Sequence, residues 1–263
     1  DHRDLHSFPT RRSSDLPIMG IAQKKKPETT NESASAVSGL QKDNEKEYNV
    51  QRSIYKEAVR LEDFMIARSA LYNMIALKPD VAELKDSLAI LYYLAGAHVQ
   101  TAVLCREIIE KNPNKAIILE ILAESEEKLG LLKEALANFE NLEKLSAKPY
   151  NKYKITLLQF ALKRFGECAE TAKKLLADSG ANGEKVRITY DAGRYQDVAM
   201  KAAVLNILGL TAAELNQKED AVLLLQEALK LEPEFALAKM NLESMTQQPK
   251  PSTTEKPENK TKK

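Results

Sequence analysis

LGLTAAELNQKEDAVLLLQEALKLEP, residues 208–233, decides how the rest of the chain is read. Its first half is apolar at helical spacing. A polar break follows at Asn216-Gln217-Lys218, and a second helix is predicted from about Glu219 to Leu231. Pro233 stops it, because proline lacks an N–H and clashes with the preceding turn. The stretch is therefore a helical hairpin. Pro79 and Pro113 close two earlier hairpins and stand 34 residues apart. A period of that length marks a stacked array of helix pairs.

Registration tests the period. Units beginning at Tyr48, Ala82, Ala116, Pro149 and Ala202 place Ile54, Leu88, Leu122, Ile155 and Leu208 at the seventh position, aliphatic every time. The fourteenth is Leu61, Ala95, Leu129, Leu162 and Leu215. The twentieth is Ala67, Thr101, Ala135, Cys168 and Ala221, small every time. Small residues belong where two helices cross closely. The implied fold class is all-α: an α-solenoid of five antiparallel helix pairs over residues 48–246. FALAKMNLESM, residues 235–245, supplies the terminal capping helix that such arrays need.

On these residues the chain resembles the tetratricopeptide repeat family. The family pattern is carried by Leu208-Gly209, Ala221, Ala228 and Pro233 in the last unit. It is carried by Leu88-Ala89, Tyr92 and Pro113 in the second, by Leu122-Ala123, Ala135 and Phe139 in the third, and by Ala67 and Pro79 in the first. The fourth unit departs from it, with Thr156 and Gln159 in place of the usual small and aromatic residues, and the family's early tryptophan is missing throughout. The resemblance implies a protein-binding scaffold without catalytic activity.

The first four units start 34, 34 and 33 residues apart, and the fifth starts 53 later. The insertion, about 178–200, alternates Val186, Ile188 and Tyr190 with Arg187 and Thr189, which is strand spacing. Asp191-Ala192-Gly193 signals a turn, and Tyr195 to Val198 can return as a second strand. A small β-hairpin near 180–199 is predicted, with an irregular loop as the alternative.

The ends are of a different kind. Back-translated, residues 1–16, DHRDLHSFPTRRSSDL, resemble an adapter oligonucleotide of short-read sequencing. They are set aside as an artefact, with a natural leader as the alternative. His2 and His6 go with them, leaving His98. Residues 17–22 resemble the remnant of a signal peptide cleaved after Ala22. That implies export, to the periplasm or cell envelope of a bacterium, with a cytoplasmic protein as the alternative. Residues 23–47 and 247–263 are rich in Ser, Thr, Glu, Lys and Pro, and are expected to be a disordered linker and tail. No run of 18 apolar residues exists, so no membrane span is expected in the mature chain.

Little in the sequence points to chemistry. One histidine cannot make a histidine-rich metal site, and no glycine-rich phosphate loop follows a strand, so no cofactor is expected. Cys105 and Cys168 read as small core residues two units apart, too far for a disulfide. With 39 basic and 38 acidic residues the chain lacks the basic excess of a general nucleic-acid binder. An RNA-binding helical repeat, or an enzyme with an unrecognised site, stands as the alternative to a scaffold.

In the family the first helix of each pair lines a concave groove. The second, fifth, ninth and twelfth positions share one helix face. They are Asn49, Arg52, Lys56 and Val59 in the first unit, and Glu83, Asp86, Ile90 and Tyr93 in the second. Ile117, Glu120, Glu124 and Glu127 follow in the third. The fourth supplies Tyr150, Tyr153, Leu157 and Phe160, and the fifth Ala203, Asn206, Leu210 and Ala213. The groove thus runs from basic through acidic to aromatic. That order does not match the Lys, Arg and Asn clamp with which some members hold chaperone tails. The expected partner is an extended peptide with basic residues beside apolar anchors. Its hot spot is Tyr153 and Phe160, and Asn206 holds its backbone. If the inserted hairpin covers Tyr150 to Phe160, these residues are core instead.

Overall fold

Apolar residues at three- and four-residue spacing build each hairpin, and a turn or a proline closes it. The computed structural model describes residues 31–191 and 193–246. Five helix pairs follow one another: α1 (Asn31–Arg60) and α2 (Phe64–Leu77), α3 (Ala82–Leu94) and α4 (His98–Lys111), α5 (Ala116–Lys128) and α6 (Leu132–Leu145), α7 (Pro149–Ala161) and α8 (Phe165–Ala177), α9 (Met200–Glu214) and α10 (Lys218–Leu231). A final helix, α11 (Ala236–Thr246), lies against α10. From α3 to α11 each helix packs on its predecessor in the chain, α9 on α8 across the insertion included. Residues 1–46 and 47–263 form separate units, and the first is described only as the leading part of α1.

The insertion is the predicted hairpin. A short 3-10 turn, Ser179–Ala181, leads into β1 (Lys185–Tyr190), which pairs antiparallel with β2 (Arg194–Ala199). Val186 pairs with Val198 and Tyr190 with Arg194. The Arg194 amide donates to the Asp191 carbonyl at 2.8 Å, and Gly193 takes φ +85°, a conformation that glycine adopts at no steric cost.

All five pairs turn in the same way. The fifteenth residue of each unit, Glu62, Gly96, Gly130, Lys163 or Asn216, has a left-handed φ between 58° and 76°. In the fourth unit the Lys163 amide donates to the Phe160 carbonyl at 2.9 Å, and the Arg164 amide to the Gln159 carbonyl at 2.8 Å. The same pair of bonds recurs in the other four units. This is the Schellman closure, which satisfies carbonyls that the helix end leaves open. The fourteenth position is the residue just before this turn, and in α3, α5, α7 and α9 it caps the helix. Three of its leucines, Leu61, Leu129 and Leu215, are therefore exposed, and Leu162 is half-buried. The twentieth position is the true crossing point: Ala67, Thr101, Ala135, Cys168 and Ala221 are all 0 % exposed.

Two boundaries differ from expectation. The linker predicted to be disordered through residue 47 is helical from Asn31, because α1 starts there. Residues 41–47 of that stretch bury no side chain. Helix-forming residues such as Gln41, Lys42, Glu45 and Lys46 extend a helix already nucleated by the first unit, at little cost per residue. The fifth unit's first helix begins at Met200 rather than Ala202. The adapter-like residues 1–16, the leader remnant 17–22, the linker residues 23–30 and the tail 247–263 lie outside the described residues.

Candidate functional site

The groove residues divide according to what surrounds their helix. On α1, Arg52 and Lys56 are exposed. On α3, Glu83 is exposed, whereas Asp86 is half-buried and ion-paired with Lys115 at the start of α5. On α5, Glu120, Glu124 and Glu127 are half-buried. Glu127 pairs with Lys154 of α7, and Glu120 forms no hydrogen bond or ion pair among the described residues.

Three helices converge on Glu124. The Tyr93 hydroxyl, from α3, donates to its Oε2. The Tyr150 hydroxyl, from α7, donates to its Oε1 at 3.1 Å. Residues 31 and 26 positions away from Glu124 thus meet on one carboxylate because the register places them on successive first helices. Burial raises the pKa of both tyrosines, and Glu124, as charge and as acceptor, raises it further. Both rings therefore stay neutral donors, and their two hydrogen bonds fix the position of the carboxylate. Tyr150 lies beside Tyr153, with ring centroids 6.5 Å apart, and keeps an exposed face. Ile117, one helical turn before Glu120, is 64 % exposed.

Towards the C-terminus the expected groove closes. Tyr153 is 4 % exposed and belongs to the core cluster that also holds Val186 and Val198 of the hairpin and Met200 and Ala203 of α9. Leu157 and Phe160 pack against the same cluster, and Phe160 also meets Phe165 at 5.8 Å. Burial, with the nearby Glu127 charge, raises the Tyr153 pKa as well. Asn206 is 3 % exposed, and its Oδ1 accepts a hydrogen bond from Asn241 of α11 at 2.8 Å. Tyr153 and Asn206 are thus interior residues rather than groove contacts. The insertion and the capping helix supply extra layers over a face that earlier units leave open. Leu210 is half-buried on the same helix.

Several polar contacts carried no separate signal in the sequence. Glu126 is 1 % exposed and accepts from Arg106 at 2.8 Å and from Asn138 at 2.6 Å, tying α4, α5 and α6 together. Gln196 of β2 donates to the Glu234 carbonyl at 2.6 Å and accepts from the Ala236 amide at 3.0 Å, fastening the hairpin to the start of α11. His98 starts α4, with Nδ1 3.4 Å from the Ser125 hydroxyl and its ring edge against Tyr93. Cys105 and Cys168 are free and buried. Burial pushes the Cys105 thiol up to about 12 and raises that of Cys168, so neither is a reactive thiolate. Among the described residues no group of three His, Cys, Asp or Glu is placed to hold a metal ion, and no helix is long and apolar enough to cross a membrane.

No family model and no curated protein matches the sequence. Solved structures do match the fold. YrrB, described as a TPR protein with an unusual peptide-binding site, superposes with a TM-score of 0.58 at 12 % identity, over 71 % of this chain and 87 % of that one. A tetratricopeptide repeat protein from Parabacteroides merdae gives 0.59 at 14 %, over 76 % and 72 %. MamA from Desulfovibrio magneticus gives 0.56 at 13 %, over 72 % and 97 %. At such identities the likeness is one of fold: the chain forms a tetratricopeptide-repeat-like solenoid.

Proposed function

We propose that the chain is a non-catalytic interaction scaffold that holds an extended peptide segment of a partner protein along α3, α5 and α7. The observation that carries this reading is the Glu124 carboxylate, fixed between the hydroxyls of Tyr93 and Tyr150. A lysine or arginine of the partner meets a preoriented negative charge there, reinforced by Glu120 one turn earlier. The exposed face of Tyr150 adds a cation–π surface. Ile117 and Ile90 offer apolar contact on either side of the acidic patch. Charges of this kind set orientation and association rate, and the aromatic and aliphatic contacts supply the residence time. Support by analogy comes from YrrB, a structural neighbour described as having a peptide-binding site. Export belongs to the same reading and rests on residues 17–22. It is checked by expressing a form with the full N-terminus restored in a Gram-negative host: the protein is expected in the periplasm with Gln23 as its first residue.

The test is capture of the partner by immobilised wild-type protein and by Glu124→Lys and Tyr150→Ala. The expected result is loss of capture in both, with the fold retained and stability lowered by no more than about 1 kcal/mol. Capture by both variants at the wild-type level contradicts the reading.

A further inference from the structure

The register brings three positions together between neighbouring units: the eleventh and twenty-third residues of one unit and the twenty-fifth of the unit before it. In the second unit the eleventh and twenty-fifth are Tyr92 and Tyr72, whose hydroxyls share a hydrogen bond of 2.8 Å. In the third they are Glu126 and Arg106. The Arg106 guanidinium donates to Glu126 at 2.8 Å, and Asn138, the twenty-third residue, donates to it at 2.6 Å. The fourth unit breaks this series. Gln159, Glu140 and Thr171 stand where the third unit has Glu126, Arg106 and Asn138. They line an open cleft of about 340 Å³ between α6, α7 and α8.

Two acceptors on this cleft lack a donor. Gln159 is 4 % exposed, and its Oε1 is buried with no hydrogen-bond partner among the described residues. An unpaired buried acceptor costs its full desolvation energy. Glu140 is half-buried and forms no hydrogen bond or ion pair among the described residues. The cations nearest to these groups are engaged elsewhere. Lys152 is held between Glu143 at 3.5 Å and Asp178 at 2.7 Å. Arg164, whose charge lies near Glu140, donates to Glu167 at 2.7 Å. Lys144 and Lys174 also line the cleft and are exposed, so they stand at its mouth, Lys144 reaching Asn141 at 3.3 Å.

We infer that this cleft binds a guanidinium group carried on a small carboxylic acid, either a free arginine-like amino acid or the C-terminal arginine of a peptide. The guanidinium takes the place that Arg106 fills in the third unit and donates to Gln159 Oε1 and to the Glu140 carboxylate. Its planar fork of N–H donors serves two acceptors at once, which an ammonium does less well. The carboxylate end meets Lys144 and Lys174 at the mouth. The site does not rest on the Glu124 surface: Gln159 follows Tyr150 by nine residues, half a turn round α7.

The test is an NMR titration of the isotope-labelled full chain with L-arginine, with Gly-Gly-Arg bearing a free carboxylate, and with agmatine, which has the guanidinium but no carboxylate. L-arginine or Gly-Gly-Arg should shift the resonances of Gln159 and Thr171 with a Kd of about 1 mM or tighter, as about a dozen heavy atoms at ordinary ligand efficiency give. Agmatine should bind at least about tenfold more weakly. Binding of Gly-Gly-Arg assigns the site to peptide ends, and binding of L-arginine alone assigns it to the free amino acid. Glu140→Arg supplies from the chain the guanidinium that the third unit already carries, and Gln159→Leu removes the unpaired acceptor at nearly constant volume. Both should keep their helical content, Gln159→Leu should melt no lower than the parent, and each should weaken binding at least about tenfold. Glu124→Lys should leave it unchanged. No shift at Gln159 with either carboxylate ligand at about 10 mM, agmatine binding as tightly as both, or binding that survives Glu140→Arg and Gln159→Leu overturns the inference.

Discussion

Helices α5 and α9 hold the same place in their units, yet α5 leaves Glu120, Glu124 and Glu127 half-buried while α9 buries every residue from Ala202 to Gly209 and leaves only Leu210 and Ala213 half-buried on that face. The ninth position is Glu124 in one and Leu210 in the other, and the twelfth is Glu127 or Ala213. The difference lies in what surrounds them. Besides their own pair partner, α5 meets α3, α4 and α7, whereas α9 meets α7, α8, both hairpin strands and, through Asn206, α11. Position in a repeat fixes which way a residue points. It does not fix what stands in front of it. The open part of the groove belongs to the earlier units, and the later ones spend the same face on core.

The sharpest way to break this comparison is to overpack a crossing that both regions share. Ala135→Trp and Ala221→Trp replace side chains with no exposure, and each should destabilise the protein by about 3 kcal/mol or more. Glu124→Trp should have a small effect. Urea unfolding measures all three, and equal losses would mean that the register is misread.

A smaller effect separates two neighbours on α7. Tyr153→Ala empties a site in the sealed core and should cost about 3 kcal/mol. Tyr150→Ala removes an exposed ring and one hydrogen bond, and should cost about 1 kcal/mol. If the two are alike in urea, the boundary between open and sealed groove does not fall between them.

The seal itself is tested at Gln196. Gln196→Ala removes both hydrogen bonds to the start of α11 and should cost about 1–2 kcal/mol. Amide exchange should quicken in the hairpin and α11 and stay unchanged in α3 to α6. Uniform quickening would mean that the hairpin is not a local latch. The mildest change improves stability: Lys163→Gly relieves a left-handed lysine and should add about 0.5 kcal/mol.

The repeat was legible because aliphatic and small residues recur in register, and Ala135 or Leu122 says the same thing in sequence and in space. The hairpin was legible from the alternation of Val186, Ile188 and Tyr190. The common turn was only half legible: Gly96, Gly130 and Asn216 favour a left-handed backbone, but Glu62 and Lys163 adopt it against their own preference because the helices on either side impose it. The site was legible as a face and not as a surface. Asn206 sits where a groove residue should, and only the sequence around it, MKAAVLNILGLTAAE, apolar on every side, says that the helix is enclosed. The meeting of Tyr93, Glu124 and Tyr150 depends on the pitch between units, which no single unit's sequence contains.

The central claim is that the acidic and tyrosine surface of α3, α5 and α7 is where a partner binds. Selection of a random-peptide library on the wild-type protein and on Glu120→Lys/Glu124→Lys tests it directly. The wild type should enrich peptides carrying lysine or arginine beside aliphatic or aromatic residues, and the double variant should lose them. Enrichment of the same peptides by both proteins, or of acidic peptides by the wild type, would contradict it.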